Sequence, residues 1–163
     1  MPSARTVGGA IVAASAAAVA AAFLAETVAG LEPGPLCIYQ RYPYAATVAL
    51  GALVAVAPGR WQALFAGLAG AAFAAGAAIA FYHVGVQAGW FEGSAACLGG
   101  APGAETVEAL REQLLGTPPG PRCDEVAWSL FGVSMPGYNL IYSAALAIAS
   151  FGAAATLARS ARP

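Results

Sequence analysis

The chain of 163 residues is 60% hydrophobic and only 9% charged, and it carries seven arginines, no lysine and eight acids for a formal net charge of −1. Soluble domains carry about 25% charged residues, so this composition excludes a soluble enzyme, a disordered chain and a nucleic-acid binder with its basic face. What remains is a single integral membrane domain over residues 1–163, with a mean hydropathy of +0.69.

A transmembrane helix needs roughly 20 mostly apolar residues to cross a hydrocarbon core of about 30 Å. Val7 to Ala25 is an unbroken apolar run ended by Glu26, which predicts a first span over about 7–26. A cleavable signal peptide is the competing reading, but the run exceeds the typical apolar core of about 7–15 residues. Residues 27–41 form a first loop that holds Cys37 and Arg41. Tyr44 to Ala57 is short by itself and reaches a second span, about 42–57, only with Pro43 in the first helical turn. Pro58-Gly59-Arg60 is a tight turn that folds the second span against a third over about 62–82. Small residues spaced by four, such as Gly67 and Ala71 or Ala72 and Gly76, suggest close helix approach there.

A long second loop, 84–138, follows, and its length predicts internal structure. Val107, Leu110 and Leu114 recur at helical spacing while Glu105, Glu108, Arg111 and Glu112 fill the other face. That pattern is a short amphipathic helix, lying on the membrane surface or packed on the bundle. Gly116 to Pro121 then breaks it ahead of Arg122-Cys123. Leu140 to Ala158 completes a fourth span over about 139–158. The expected fold is therefore an all-α bundle of four transmembrane helices.

Four spans put both termini on one side. Arg5, Arg60, Arg159 and Arg162 lie on that side, whereas all eight acids (Glu26, Glu32, Glu92, Glu105, Glu108, Glu112, Asp124 and Glu125) fall in the other two connections. By the positive-inside rule the termini and the Arg60 turn are cytoplasmic and both long loops are exterior.

Every cysteine then lies outside the membrane, where disulfides form and persist. A structural bridge between Cys97 and Cys123 would staple the second loop and leave Cys37 over. Cys37, four residues from Arg41, is either an inert buried thiol or a nucleophile whose thiolate the guanidinium favours. His83, the only histidine, falls at the exterior end of the third span and reads as an interfacial polar cap or as a functional ionisable group. The lack of a second histidine argues against haem ligation, and no metal-ligand set is expected.

Two longer stretches are more specific. Pro35-Leu36-Cys37-Ile38-Tyr39-Gln40-Arg41-Tyr42-Pro43-Tyr44 and Cys123-Asp124-Glu125-Val126-Ala127-Trp128-Ser129-Leu130-Phe131-Gly132-Val133-Ser134-Met135-Pro136 resemble motifs of the disulfide bond formation protein B (DsbB) family. With His83, Gln87, Cys97 and four spans, the resemblance covers essentially the whole chain. It implies a bacterial inner-membrane oxidase with periplasmic redox loops. Such an oxidase re-oxidises a soluble DsbA-type thiol oxidase and passes electrons to ubiquinone or menaquinone. It further implies that Cys97 forms the mixed disulfide with the partner, that Cys123 is its intramolecular disulfide partner, and that Cys37 faces the quinone. Arg41 would stabilise the Cys37 thiolate and polarise the quinone, and His83, Gln87 and Met135 would lie near the quinone or its access route.

One position departs from the family pattern: Gly34 stands where the first cysteine of the first-loop Cys-x-x-Cys belongs. Without a sulfur there, the family's internal transfer from the second loop fails and the cycle stops, whether the change is engineered or natural. An inactive homologue that still binds quinone or partner is therefore an alternative. A small four-helix transporter is another, although no charged residue lies midway along a span. A vitamin K epoxide reductase-like enzyme would want a Cys-x-x-Cys in a late helix, and none exists.

Overall fold

Ser3 opens the first helix by accepting the Thr6 N–H on its hydroxyl at 3.2 Å, and α1 (Ala4–Ala29) then runs for 26 residues. The computed structural model describes residues 3–94, 97, 106–107, 111 and 121–161. Glu26 does not end α1; the helix continues to Gly30, which takes the left-handed conformation at φ 64° and closes the last turn on Ala25 O. Pro35 at the first helical position starts a five-residue helix, α2 (Pro35–Tyr39), and Gln40 alone separates it from α3 (Arg41–Val56). The break has a local cause. Pro43 has no N–H to offer the Tyr39 carbonyl four residues earlier.

Gly59 adopts φ 52° and ψ −128°, a conformation that glycine tolerates and other residues resist, and from it α4 (Arg60–Gln87) runs for 28 residues. The second connection ends in a hairpin of two-residue strands, β1 (Ser129–Leu130) and β2 (Val133–Ser134), paired antiparallel with Leu130 opposite Val133. Phe131 and Gly132 turn it with φ 49° and 77°, the double-positive pair that matches strand twist. Helix α5 (Met135–Ser160) follows at once. The hairpin is an addition to the helices expected from sequence. Apolar residues at 130, 131 and 133 gave no alternation long enough to read.

Three helices, α1, α4 and α5, are long and apolar enough to cross a membrane. The 16 residues of α3 are fewer than such a crossing takes. The amphipathic helix expected over Val107 to Leu114, and the Gly116 to Pro121 break, fall largely outside the described residues.

Helix α1 packs on α3, α3 on α4, and α4 most extensively on α5. Where hydrocarbon tails are as apolar as leucine, close approach of small residues and shared hydrogen bonds hold helices together. Between α1 and α3 a Cβ on Gly8 would stand 2.8 Å from Ala55 N, and one on Gly51 would stand 2.9 Å from Ile11 Cγ2. Ser15 Oγ and Thr47 Oγ1 meet at 2.7 Å in the same seam. Phe73, fully buried, packs edge-on against Tyr44 at the centre. Leu24, Leu53, Leu64, Leu68, Ile141 and Ile148 point outward from the helices, as lipid-facing side chains do.

Candidate functional site

The first turn of α2 is where the chemistry gathers. Gly34 caps it, and Cys37 is its third helical residue, with the Cys37 N–H donating to Gly34 O at 3.0 Å. That register points the Gly34 N–H at the Cys37 sulfur, the reciprocal contact a glutamate makes in a capping box. The Leu36 N–H points at the sulfur of Cys123. Two sulfurs from different loops thus sit over consecutive donors of one helical turn.

Cys123 and Cys97 are both 1% exposed and pack with Leu36 and Val86. The Cys123 N–H donates to Cys97 O at 2.8 Å, and the two thiols share a hydrogen bond. All three cysteines stand as free thiols. The expected Cys97–Cys123 pair is therefore in contact, unbridged. Burial, reinforced by the Cys97 contact, pushes the Cys123 thiol up to about 12, with the Leu36 N–H opposing.

Arg41 is close enough to lower the Cys37 thiol electrostatically, but it is already committed. Its guanidinium forms an ion pair with Glu26 at the end of α1 and lies 5.1 Å from the centroid of the Phe23 ring. Burial raises the Cys37 thiol above its ordinary value, the Gly34 N–H and then Arg41 pull it down, and Glu26 pushes it up again. Burial wins, so the guanidinium moderates the shift and does not reverse it. Arg41 Nε is buried with no partner.

His83 and Gln87, one turn apart on α4, take different partners. The Gln40 side-chain amide donates to His83 Nδ1 at 2.9 Å and to Leu36 O at 3.1 Å, and its oxygen accepts from Asn139 Nδ2. Asn139 Oδ1 in turn accepts from Tyr44, whose hydroxyl lies 2.7 Å from Ser143 Oγ. The Cys123 carbonyl accepts from the His83 ring. Gln87 accepts from Ser134 Oγ at 2.8 Å and contacts Glu125 O at 3.5 Å, tying the hairpin and the segment after Cys123 to α4. Met135 starts α5, and its N–H donates to Trp128 O at 3.4 Å. Cys37, Cys97, Cys123, Arg41 and His83 are brought into one neighbourhood, while Gln87 and Met135 brace the hairpin beside it.

Glu26, Gln40 and Asn139 complete this constellation and were not readable from the sequence. The signals existed (an acid at a span end, two amides at span starts), but each suits an ordinary helix boundary equally well. An apolar groove of about 420 Å³ opens nearby between α3 and α4, lined by Tyr39, Tyr42, Pro43, Ala46, Ala72, Ala75 and Ile79. Among the described residues, no group of three or more His, Cys, Asp or Glu could hold a metal ion.

Comparison with known proteins adds independent findings. The profile of the family described as disulfide bond formation protein DsbB matches residues 4–153. Disulfide bond formation protein B 2 of Pseudomonas entomophila (strain L48) is 34% identical over 137 residues, 78% of this chain and 77% of that protein. Its namesake in Pseudomonas putida (strain KT2440) is 35% identical over 136 residues, 81% and 79% of the two chains. Disulfide bond formation protein B of Chromohalobacter salexigens is 34% identical over 141 residues, 80% and 78%. No solved structure matches the chain.

Proposed function

We propose a function from one premise: the chain belongs to the disulfide bond formation protein DsbB family. It is a membrane disulfide-forming oxidoreductase with three apolar helices long enough to cross a bilayer. On our reading, α3 is a fourth span and α2 belongs to the first loop. The termini are cytoplasmic, and Cys37, Cys97 and Cys123 face the periplasm of a bacterial inner membrane. The substrate is a DsbA-type dithiol oxidase, and the electron acceptor is ubiquinone or menaquinone.

The observation that carries this reading is the convergence of Cys37 and Cys123 on the first turn of α2, with Cys97 against Cys123. A Cys97–Cys123 disulfide is the resting form; Cys97 takes the mixed disulfide with the partner, and Cys123 is the thiol it releases. Exchange needs an attacking thiolate and a leaving thiolate. The Leu36 N–H favours the thiolate at Cys123, as the Gly34 N–H and Arg41 do at Cys37.

A quinone fits the residues beside Cys37. The buried, unpartnered Arg41 Nε–H asks for an acceptor, and a ring carbonyl oxygen is one. Phe23 and the half-buried Cys37 supply flat and soft surfaces around it. Bound there, a quinone supplies a two-electron, two-proton acceptor. Arg41 orients and polarises that acceptor, Glu26 fixes the guanidinium, and burial excludes water from the sulfur.

Gly34 interrupts the family scheme, because Cys123 finds no sulfur at residue 34 to attack. That glycine supports a second reading, a homologue that binds quinone and partner without turnover. An assay of quinone-dependent oxidation of a reduced DsbA-type protein tests the proposal. Oxidation beyond one equivalent supports turnover. Stoichiometric mixed-disulfide formation without turnover supports the second reading, and neither outcome together with no partner binding defeats both.

A further inference from the structure

The glycine at position 34 removes a sulfur and also leaves open the space in front of Cys123. A Cβ at residue 34 would lie 3.6 Å from Cys123 Sγ and 3.5 Å from Pro121 O, in ordinary contact with both. With no Cβ present, the Cys123 sulfur faces the bare first turn of α2, and the next sulfur on that turn belongs to Cys37. Cys37 lies on the same turn, tied to Gly34 by its own N–H, with its sulfur over the Gly34 N–H while Cys123 takes the Leu36 N–H. Cys97 touches Cys123 and acts on Cys37 as well. The three cysteines therefore form one cluster in which Cys123 is in reach of both others.

We propose that Cys37 exchanges directly with the second-loop disulfide, so that the single bridge of this chain alternates between Cys97–Cys123 and Cys37–Cys123. In the forward step the Cys37 thiolate attacks Cys123 Sγ. The Cys37–Cys123 bond forms, the Cys97–Cys123 bond breaks, and the Cys97 thiolate leaves and takes up the proton that Cys37 gave up. No electron is gained or lost, so the step needs no oxidant. The consequence is a three-cysteine relay in which the quinone-side cysteine doubles as the acceptor that residue 34 no longer provides. The inference rests on the reading of Cys97–Cys123 as the resting bridge and is independent of any quinone or protein partner.

The bond requires Cα atoms roughly 4.4–6.8 Å apart, so the exchange brings the Cys123 loop and the first turn of α2 to that separation. His83, which donates to the Cys123 carbonyl, ties the loop to α4 beside this turn.

Full-length protein in nanodiscs, equilibrated with oxidised and reduced glutathione, acid-quenched and alkylated, is mapped under non-reducing conditions. Wild type is expected to yield both bridged peptides. Cys97→Ser is expected to raise the Cys37–Cys123 peptide roughly tenfold, since the competing partner is gone. Absence of that peptide from wild type and variant alike overturns the inference, and with Cys97–Cys123 present it leaves the proposed function standing. A Cys37–Cys123 peptide in the variant without any Cys97–Cys123 peptide in wild type supports the exchange pair and overturns the resting-bridge reading. Wild type carries the test if the variant fails to fold.

Discussion

The Gln40 side-chain amide donates to His83 Nδ1 at 2.9 Å, and that bond decides which ring nitrogen remains to hold the Cys123 carbonyl. An amide nitrogen only donates, so Nδ1 accepts and the proton sits on Nε2. Gln40 is fully used: both its N–H groups have acceptors, and its oxygen accepts from Asn139. A residue at the break between α2 and α3 thereby connects α4, α5 and the loop of Cys123.

Gln40→Leu leaves the His83 Nδ1 and the Asn139 amide without their partner, while the Leu36 carbonyl keeps the backbone N–H of residue 40. At about 1–3 kcal/mol for a buried unsatisfied group, a few kcal/mol of stability is at stake. We expect a lower thermal midpoint and at least several-fold faster alkylation of Cys123 in the reduced protein. An unchanged Cys123 rate would show that the network does not hold the loop.

Gly34→Cys requires no backbone change, since φ is −71° and the new Cβ meets only ordinary contacts. The expected result is a bridge from the introduced sulfur to Cys123 in non-reducing peptide maps, together with restored quinone-dependent oxidation of a reduced DsbA-type partner. A folded, quinone-loaded variant that stays inactive counts against the oxidase reading.

Glu26 raises the Cys37 thiol and Arg41 lowers it. Glu26→Gln therefore makes Cys37 more acidic and increases its alkylation rate at neutral pH by several-fold, while Arg41→Gln decreases it. The opposing signs are the test, since simple loosening of the loop would accelerate both.

With its thiol pushed up to about 12, reduced Cys123 is almost wholly protonated at neutral pH. The reactive thiolate fraction rises with pH, roughly tenfold per unit for as long as the pH stays below that value. Iodoacetamide labelling of Cys123 should climb accordingly from about pH 7 to about pH 10. A plateau near pH 8 to 9 would place the thiol at its ordinary value.

In the α1–α3 seam, Gly8→Ala puts a methyl group 2.8 Å from Ala55 N, whereas Gly9→Ala meets nothing within 4 Å. Overpacking of this kind costs about 1–3 kcal/mol. Gly8→Ala should lower the thermal midpoint clearly, and Gly9→Ala should leave it unchanged. Equal effects would show that the seam accommodates the added methyl group at residue 8.

Long hydrophobic runs mark their helices, which is why α1, α4 and α5 were legible from residue order alone, although each helix extends past its run into polar flanks. The second run was harder: Gln40 and Arg41 interrupt the apolar residues ahead of Tyr44, and only the backbone shows that α2 is helical in its own right. Spacing of small residues was right at one position and silent at others. Gly76 is buried against Pro43 and Ser143, whereas Gly67 makes one distant contact with Ala154, and the tightest seam uses Gly8 and Gly51, which lie on different helices and share no motif. The cysteines and Arg41 were readable because their chemistry is rare. Glu26, Gln40 and Asn139 were hidden because pairing between distant helices leaves no trace in local sequence.

The shortness of α3 bears on how the quinone proposed above would meet the protein. At 1.5 Å per residue its 16 residues rise about 24 Å, against a hydrocarbon thickness of about 30 Å. As the fourth span proposed above, it leaves a mismatch that the bilayer relieves by thinning around it or by drawing α2 down into the acyl region. Either response lowers Cys37 and Arg41 toward the depth at which a prenylated ring diffuses. The carrier then reaches the sulfur by lateral motion, without lifting its head group into water.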